Sequence, residues 1–380
     1  MISYKYKLYH NKNNRYLDAM LREAAFVWNH ALALQKRYYK LFGKFISANA
    51  LQKHFAKRIK RNLLHSQTVQ EIIQRLDAAY NRFFKHIAKR PPKFKKSSDF
   101  SSFVFKQGGF SLNGNVLTIN KIKKRFKFSY SREYKGNIKQ VRIKRNALGE
   151  FFIVIITDYK SENTLPQTHD GAWVGIDFGM KTYLTLSDGS EIDNPLFLKQ
   201  SLKTLAKEQH SLSRKQKGSN HRKAQRKKVA KLYDKIVNQR NDYQWKLAHV
   251  LCKRYSHVFI EDLNLNGMTK LWGRKMNDLA HGAFVEKLQQ VAIKYGVVVH
   301  KINRYFPSSK LCDCGWKNDK LTLKDREWVC PQCGQIHNRD LHASEMILRR
   351  GIYELESAEK TSNGFAIGAL HACIQESHLL

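Results

Sequence analysis

The sequence predicts a multidomain α+β chain: a β-rich unit interrupted by helices, then an α/β unit that carries a small metal knuckle. Three observations lead there. The 380 residues are more than one hydrophobic core usually organises. Apolar residues repeat with period two at the N-terminus, then at helical spacing, then with period two again before residue 160, so a sheet is entered, left and re-entered. Four of the six cysteines lie between 312 and 333, a cluster that reads as a metal site rather than as disulfides in a reducing compartment.

The elements follow in order. In "ISYKYKL", Ile2, Tyr4, Tyr6 and Leu8 alternate with polar residues, which predicts a strand. From about 14 to 42, Leu17, Leu21, Ala24, Trp28 and Leu32 recur at helical spacing. A second helix is predicted over about 67–89, with Val69, Ile72, Ile73, Leu76, Tyr80, Phe83, Phe84 and Ile87 on one face and Pro91–Pro92 beyond its end. Residues 100–157 read as β, with "GNVLTI" a strand and "KQVRIKRNALGEFFIVIITD" a hairpin about Asn146–Gly149. The N-terminal strand is expected to join this sheet, with the helices inserted.

Residues 161–173 form a polar connector. Beyond it, "WVGIDFGMKTYLTLSDGSEI" makes two strands, one ending near Asp177 and one at the Asp188–Gly189 turn. Residues 200–250 are helical and basic, "HVFIEDL" is a short buried strand, "HGAFVEKLQQVAIKYG" is a helix closed by Gly296, and "VVVHKI" is a further strand. A last helix carries Asp340. No internal repeat is present.

The charge balance, 69 Lys+Arg against 31 Asp+Glu for a net +38, calls for a polyanionic partner. No apolar run of about 18 residues exists to span a bilayer, and "MISYKYKLYHNKNN" lacks the apolar core of a secretory leader. A soluble, cytosolic nucleic-acid protein is expected. Between Lys203 and Lys231 eleven Lys/Arg stand against the single acid Glu208. Arg214, Lys215, Lys217, Arg222, Lys223, Arg226, Lys227 and Lys228 are the candidate phosphate contacts in that stripe. Charge alone does not distinguish RNA from DNA. The mixture of Lys93, Lys95 and Lys96 with Phe94, Phe100, Phe103 and Phe105 is more often strand core than a base-stacking surface.

Three acids stand out. Asp177 and Glu261 end apolar strands, and Asp340 starts a helix. An acid so placed costs free energy unless it is paired or metal-bound. Brought together, the three suit two magnesium ions and hydrolysis of a phosphodiester. Cys312 and Cys314 pair with Cys330 and Cys333 across fifteen residues, close to the spacing of a four-cysteine zinc ribbon. Gly315 and Gly334 follow each pair, where tight knuckles need backbone freedom. The first pair is Cys-x-Cys, one residue shorter than usual, and His337 is an alternative ligand.

The pieces "GIDFG", "IEDLNLNGM", "FPSSKLCDCG", "CPQCG" and "HNRDLHAS", in this order, resemble the OrfB/TnpB transposon-associated family, a relative of the type V CRISPR effectors. The N-terminal half fits as well, through "FVWNHAL" and "RLDAAYNRFFKHIAKRPPKFK". The resemblance implies an RNA-guided DNA endonuclease, built from an oligonucleotide-binding-like β-domain with a helical insertion and a RuvC-like (RNase H fold) nuclease containing a zinc ribbon. The implied boundaries are 1–12 for the first strand of the wedge-like β-domain, 13–95 for the helical insertion and 96–168 for the rest of the β-domain. The nuclease follows at 169–311, the zinc ribbon at 312–335, the final nuclease helix at 336–350, and a C-terminal tail, with disorder expected, at 351–380. It also implies that Asp177, Glu261 and Asp340 are the metal-binding triad, with Arg339 beside the scissile phosphate and His337 supporting it. The implied partners are a transposon-derived guide RNA and target DNA beside a short flanking motif, for a monomer acting on the nucleoid of a prokaryotic cytosol. His342 and Trp245 stand where the family usually has Asn and His. Two other readings are a guide-dependent DNA-binding repressor without cleavage and an RNA-independent transposase-like nuclease.

Overall fold

The computed structural model describes residues 1–60, 62–159, 171–264, 267, 273, 276, 278–322 and 325–362, the last five of these by backbone alone. They form two compact units, Met1–Lys160 and Ser161–Leu380.

The first unit begins with β1 (Ile2–Lys7), α1 (Asn14–Phe42), α2 (Ala48–Arg58) and α3 (Ser66–Phe84). Six strands follow: β2 (Ser102–Phe105), β3 (Phe110–Asn113), β4 (Val116–Ile119), β5 (Lys124–Lys127), β6 (Ile138–Arg145) and β7 (Phe151–Thr157). β1 pairs antiparallel with β7, placing Tyr4 opposite Ile155 and Tyr6 opposite Ile153. The sheet order is β1-β7-β6-β2, and β3-β4-β5 makes a separate three-stranded sheet. The chain thus leaves the sheet after β1, builds the helices and returns. The helices bury Leu17, Leu21, Trp28, Ile72, Ile73 and Leu76 in one cluster with Tyr6, Phe103, Ile143 and Ile153. Phe103 and Phe105 are fully buried, so these two phenylalanines are strand core, whereas Phe94 is 55% exposed.

Two local features differ from the periodicity. α2 has no counterpart in the sequence reading, although its Ser47 side chain accepts from Ala50 N and Leu51 and Phe55 provide a buried i, i+4 pair. The α3 helix stops at Phe84 instead of near 89. His86 takes a left-handed conformation and Ala88 N donates to Arg82 O, so the chain turns before the prolines can act.

The second unit contains β8 (Trp173–Asp177), β9 (Thr182–Leu186), β10 (Glu191–Asp193), α4 (Phe197–Arg214), α5 (Asn220–Arg254), β11 (His257–Glu261), α6 (His281–Tyr295) and β12 (Val298–Ile302). It ends with β13 (Glu327–Val329), β14 (Ile336–Asn338) and α7 (Arg339–Ser362). The main sheet has the order β10-β9-β8-β11-β12. β8, β11 and β12 are parallel, β9 pairs antiparallel with β8, and β10 pairs antiparallel with β9. The middle of β11, Val258–Ile260, is apolar and buried because both of its faces are covered. Val258 and Ile260 pack with Leu251, Phe284 and Leu288, and Phe259 packs with Ile347 of α7.

The seat of α7 is unusually close. A Cβ on Gly175 of β8 would lie 2.0 Å from Ser344 O and 2.6 Å from Leu348 N; a Cβ on Gly351 would lie 2.0 Å from the Phe259 ring. α7 also runs well past 350. Glu354 accepts from His300 Nε2 at 3.0 Å, Asn303 N at 3.4 Å and Arg350 Nε at 2.7 Å. The expected tail is therefore corrected over 351–362, which is helix anchored to the end of β12. Residues 363–380 and most of the 161–173 connector lie outside the described residues.

Gly175→Ala is expected to cost about 1–3 kcal/mol by overpacking, read as a lower urea midpoint with an unchanged slope. A variant as stable as the parent would contradict the close seat of α7.

Candidate active site and metal centre

Asp177 is the last residue of β8 and Glu261 the last of β11. These strands are parallel neighbours with Ile176 opposite Ile260, so the two carboxylates leave the same end of the sheet side by side. Asp340 lies in the first turn of α7, where a negative charge also meets the positive end of the helix dipole. Asp177 senses the other two acids. Burial, then the charges of Glu261 and Asp340, push the Asp177 carboxyl from its ordinary 3.8 up to about 7, against a partial downward pull from Arg339. Burial raises Glu261 as well. Like charges that are gathered and only partly compensated favour a bound cation. An all-oxygen donor set suits magnesium.

Two partners of the triad were not found from the sequence. Ser308, 5% exposed, donates its hydroxyl to Glu261 Oε1 at 2.5 Å, which opposes the effect of burial on that carboxylate. It belongs to the "FPSSKLCDCG" stretch, yet nothing in the spacing says that it reaches back to β11. Arg326 Nη1 pairs with Asp340 Oδ2 at 2.6 Å; its guanidinium stands where a cation on Asp340 would put positive charge. Arg339 donates from Nη1 to Thr322 O at 3.1 Å and Asp325 O at 3.4 Å. Its Nε is buried without a partner among the described residues.

The four cysteine sulfurs lie within 4.8 Å of one another. Cys312 Sγ is 3.5 Å from Cys333 Sγ, and Cys314 Sγ is 3.6 Å from Cys330 Sγ. A tetrahedron with Zn–S bonds of about 2.3 Å has edges of roughly 3.8 Å, so the cluster fits zinc, the short first knuckle included. Each knuckle is closed by its glycine bonding back to the first cysteine of the pair, over three residues in the short first knuckle and four in the second. Gly315 N donates to Cys312 O at 2.9 Å and Gly334 N to Cys330 O at 2.8 Å, with both glycines at positive φ. His337 is not one of the four grouped ligands. It is buried, with Nε2 3.1 Å from Cys312 Sγ and its ring 4.4 Å from Trp328 and 4.0 Å from His342. The structure therefore places it against the thiol cluster. His342 Nε2 in turn lies 2.7 Å from Leu311 O. Trp245 packs at the edge of the core that holds Leu247 and Phe284.

The basic stripe occupies the end of α4, the α4–α5 turn and the start of α5. Arg214, Lys215, Lys217, Lys223, Arg226, Lys227 and Lys228 are exposed. Arg222 is spent internally. Its Nη1 donates to Leu212 O at 2.7 Å and Lys215 O at 2.8 Å, satisfying carbonyls at the C-terminus of α4. It is a clamp on the turn.

Comparison with known proteins adds the following. The profile of a family described as "Probable transposase" matches residues 157–271, one described as "Cas12f1-like, TNB domain" matches 281–347, and one described as "Helix-turn-helix domain" matches 1–44. A Streptomyces pristinaespiralis protein named "Putative RNA-guided DNA endonuclease" is 32% identical over 292 residues, 76% of this chain and 72% of that protein. The Escherichia coli K12 protein "Putative RNA-guided DNA endonuclease InsQ" is 27% identical over 368 residues, 89% of each. The solved "Cas12f1-sgRNA-target DNA complex" shares the fold with a TM-score of 0.57 at 13% identity, covering 89% of this chain and 83% of that one.

Two expectations follow from the site. The folded Asp177 titrates near 7, above its ordinary 3.8. Its contribution to stability is thus fully present below about 3.8 and is lost as pH rises through 7. In magnesium-free buffer Asp177→Asn should therefore gain on the parent between pH 5.5 and 8.5, by roughly 2 kcal/mol in urea unfolding; a pH-independent difference would refute the buried-charge account. Cys330→Ser should carry far less than about one zinc per chain by elemental analysis and should melt lower. Full zinc content in that variant would contradict the four-thiolate site.

Proposed function

The chain belongs to the OrfB/TnpB transposon-associated family, and on that premise we propose that it is an RNA-guided DNA endonuclease that hydrolyses guide-matched target DNA beside a short flanking motif. The observation that carries this reading is the convergence of Asp177 and Glu261, at the ends of neighbouring parallel strands, with Asp340 at the start of α7, close enough that the other two acids push the buried Asp177 carboxyl up. Three antiparallel strands continued by two parallel ones, with acids at the ends of the first and fourth strands and on a covering helix, support a RuvC-like nuclease of the RNase H class. The three carboxylates would hold two magnesium ions, which supply an activated water and stabilise the departing oxygen.

The chain's own groups have distinct parts. Ser308 occupies one oxygen of Glu261 and so turns the other towards the shared site. Arg339, whose charge reaches Asp177, would leave its backbone carbonyl partners Thr322 O and Asp325 O to meet a phosphate oxygen. Arg326 offsets part of the charge of Asp340 through Oδ2. The cysteine cluster, as a closed zinc site, does no chemistry; it folds the segment that leads into α7. The exposed cations of the α4–α5 turn neutralise phosphates of guide RNA or target DNA. In the first unit, the β-sheets with their helical insertion serve as the wedge-like nucleic-acid-binding part. The names of the relatives support RNA and DNA as partners.

The test is one assay. The protein is expressed with its downstream genomic flank, purified with any retained RNA, and given magnesium with plasmids that carry a matched target beside a randomised flank. Cutting confined to matched targets with one enriched flank is expected, and Asp177→Ala should reduce it to background while RNA retention persists. Bound target without cutting would favour a repressor. Cutting without any retained RNA would favour a transposase-like nuclease.

A further inference from the structure

We infer that Tyr305 is a stacking platform for one unpaired nucleotide of the DNA strand at the candidate active site, with Lys301 and Arg304 facing its flanking phosphates. The inference rests on the nuclease reading above and adds where the strand is gripped.

Tyr305 is 87% exposed, more than any other Phe, Tyr or Trp among the described residues. A single exposed ring is ordinary on a protein surface. What sets this one apart is how firmly its backbone is held. Tyr305 N donates to Asn303 Oδ1 at 2.9 Å, and Phe306 N to Asn303 O at 3.1 Å. The neighbouring Phe306 turns inward onto the Phe259–Ile347 cluster, with the Arg350 guanidinium 5.5 Å from its ring centre. Of two adjacent aromatic residues, one is packed and the other is presented to solvent by a fixed turn.

The turn is also clamped to the end of β11 on both sides of Tyr305. Arg304 donates from Nε to Asp262 O at 2.9 Å and pairs with the Asp262 carboxylate. Ser308 donates to Glu261 Oε1 at 2.5 Å. The segment carrying the ring is therefore tied to Asp262 on one side and to Glu261 on the other, so its backbone is held at the end of the strand that carries a triad acid. The ring borders an open recess of about 570 Å³ lined by Asp262, Lys301, Ile302, Asn303, Arg304 and Tyr305, a volume in the range of small-molecule sites. Two cations face one carboxylate there, which suits a phosphate-bearing ligand. Stacking on an aromatic ring tolerates any base, because every base has a π-face. That is the contact a nuclease needs when base pairing elsewhere selects the sequence.

The experiment uses the guide-loaded complex with calcium in place of magnesium and matched target DNA in which 2-aminopurine replaces successive bases around the cut position. The parent and Tyr305→Trp are expected to quench one position that Tyr305→Ala and Tyr305→Leu leave bright. With magnesium restored, single-turnover cutting should fall on the order of tenfold in the Ala and Leu variants and recover in Trp. Identical fluorescence profiles for parent and Tyr305→Ala on bound target would overturn the inference alone. So would Leu performing as well as Trp, since packing without stacking would then suffice. Failure of every variant to bind guide-matched target would overturn the nuclease reading and this inference with it.

Discussion

The second unit depends on one close contact, the backbone of α7 against the backbone of β8 at Gly175. No side chain fits between them, since even a Cβ would meet Ser344 O. Gly351 admits the Phe259 ring in the same way one turn and more along the helix. Two missing side chains thus fix the height and the axial position of α7 on the sheet. Asp340, in the first turn of that helix, reaches the ends of β8 and β11 only for that placement. Packing this close tolerates little adjustment, because protein interiors have few voids to absorb a shift.

That geometry explains why the metal knuckle lies directly upstream of the last acid. The knuckle segment enters α7 through β14, where His337 sits on Cys312 Sγ and its ring packs, tilted, against that of His342, already one turn into the helix. His342 ties back to Leu311 O at the start of the first knuckle. Order at the cysteine cluster is therefore transmitted to the beginning of α7 by direct contact. A helix start is otherwise the part most prone to fray, since its first N–H groups lack intrahelical partners. Arg326, between the two knuckles, adds an ion pair to Asp340.

A chain of net +38 has ample charge to neutralise three acids, yet it keeps most cations away from them. Among the described residues Arg339 and Arg326 are the cations that reach the triad, and Asp177 is still pushed up to about 7. The site is thus held in a state of unrelieved repulsion by packing, the usual condition of a site that awaits cations. A dense group of exposed cations lies instead on the α4–α5 turn, which the half-buried Arg222 closes.

Much of this was legible in the residues. The alternation in "ISYKYKL" and "FFIVIITD", the apolar runs that end in Asp177 and Glu261, and the cysteine spacing each rest on local periodicity or on ligand chemistry, which neighbouring residues suffice to express. The short helix α2 was also within reach, since its cap and its apolar pair are local, whereas the early end of α3 turned on a left-handed residue that periodicity does not show. Only the tertiary structure decided the rest. Ser308 meets Glu261 across 47 residues, Arg326 meets Asp340 across the second knuckle, and Gly175 admits α7 from 169 positions away (344 − 175 = 169). The exposure of Tyr305 beside the buried Phe306 likewise depends on which element lies over each. Such contacts depend on which strands become neighbours and how closely a helix can approach them, and these are properties of the assembled core.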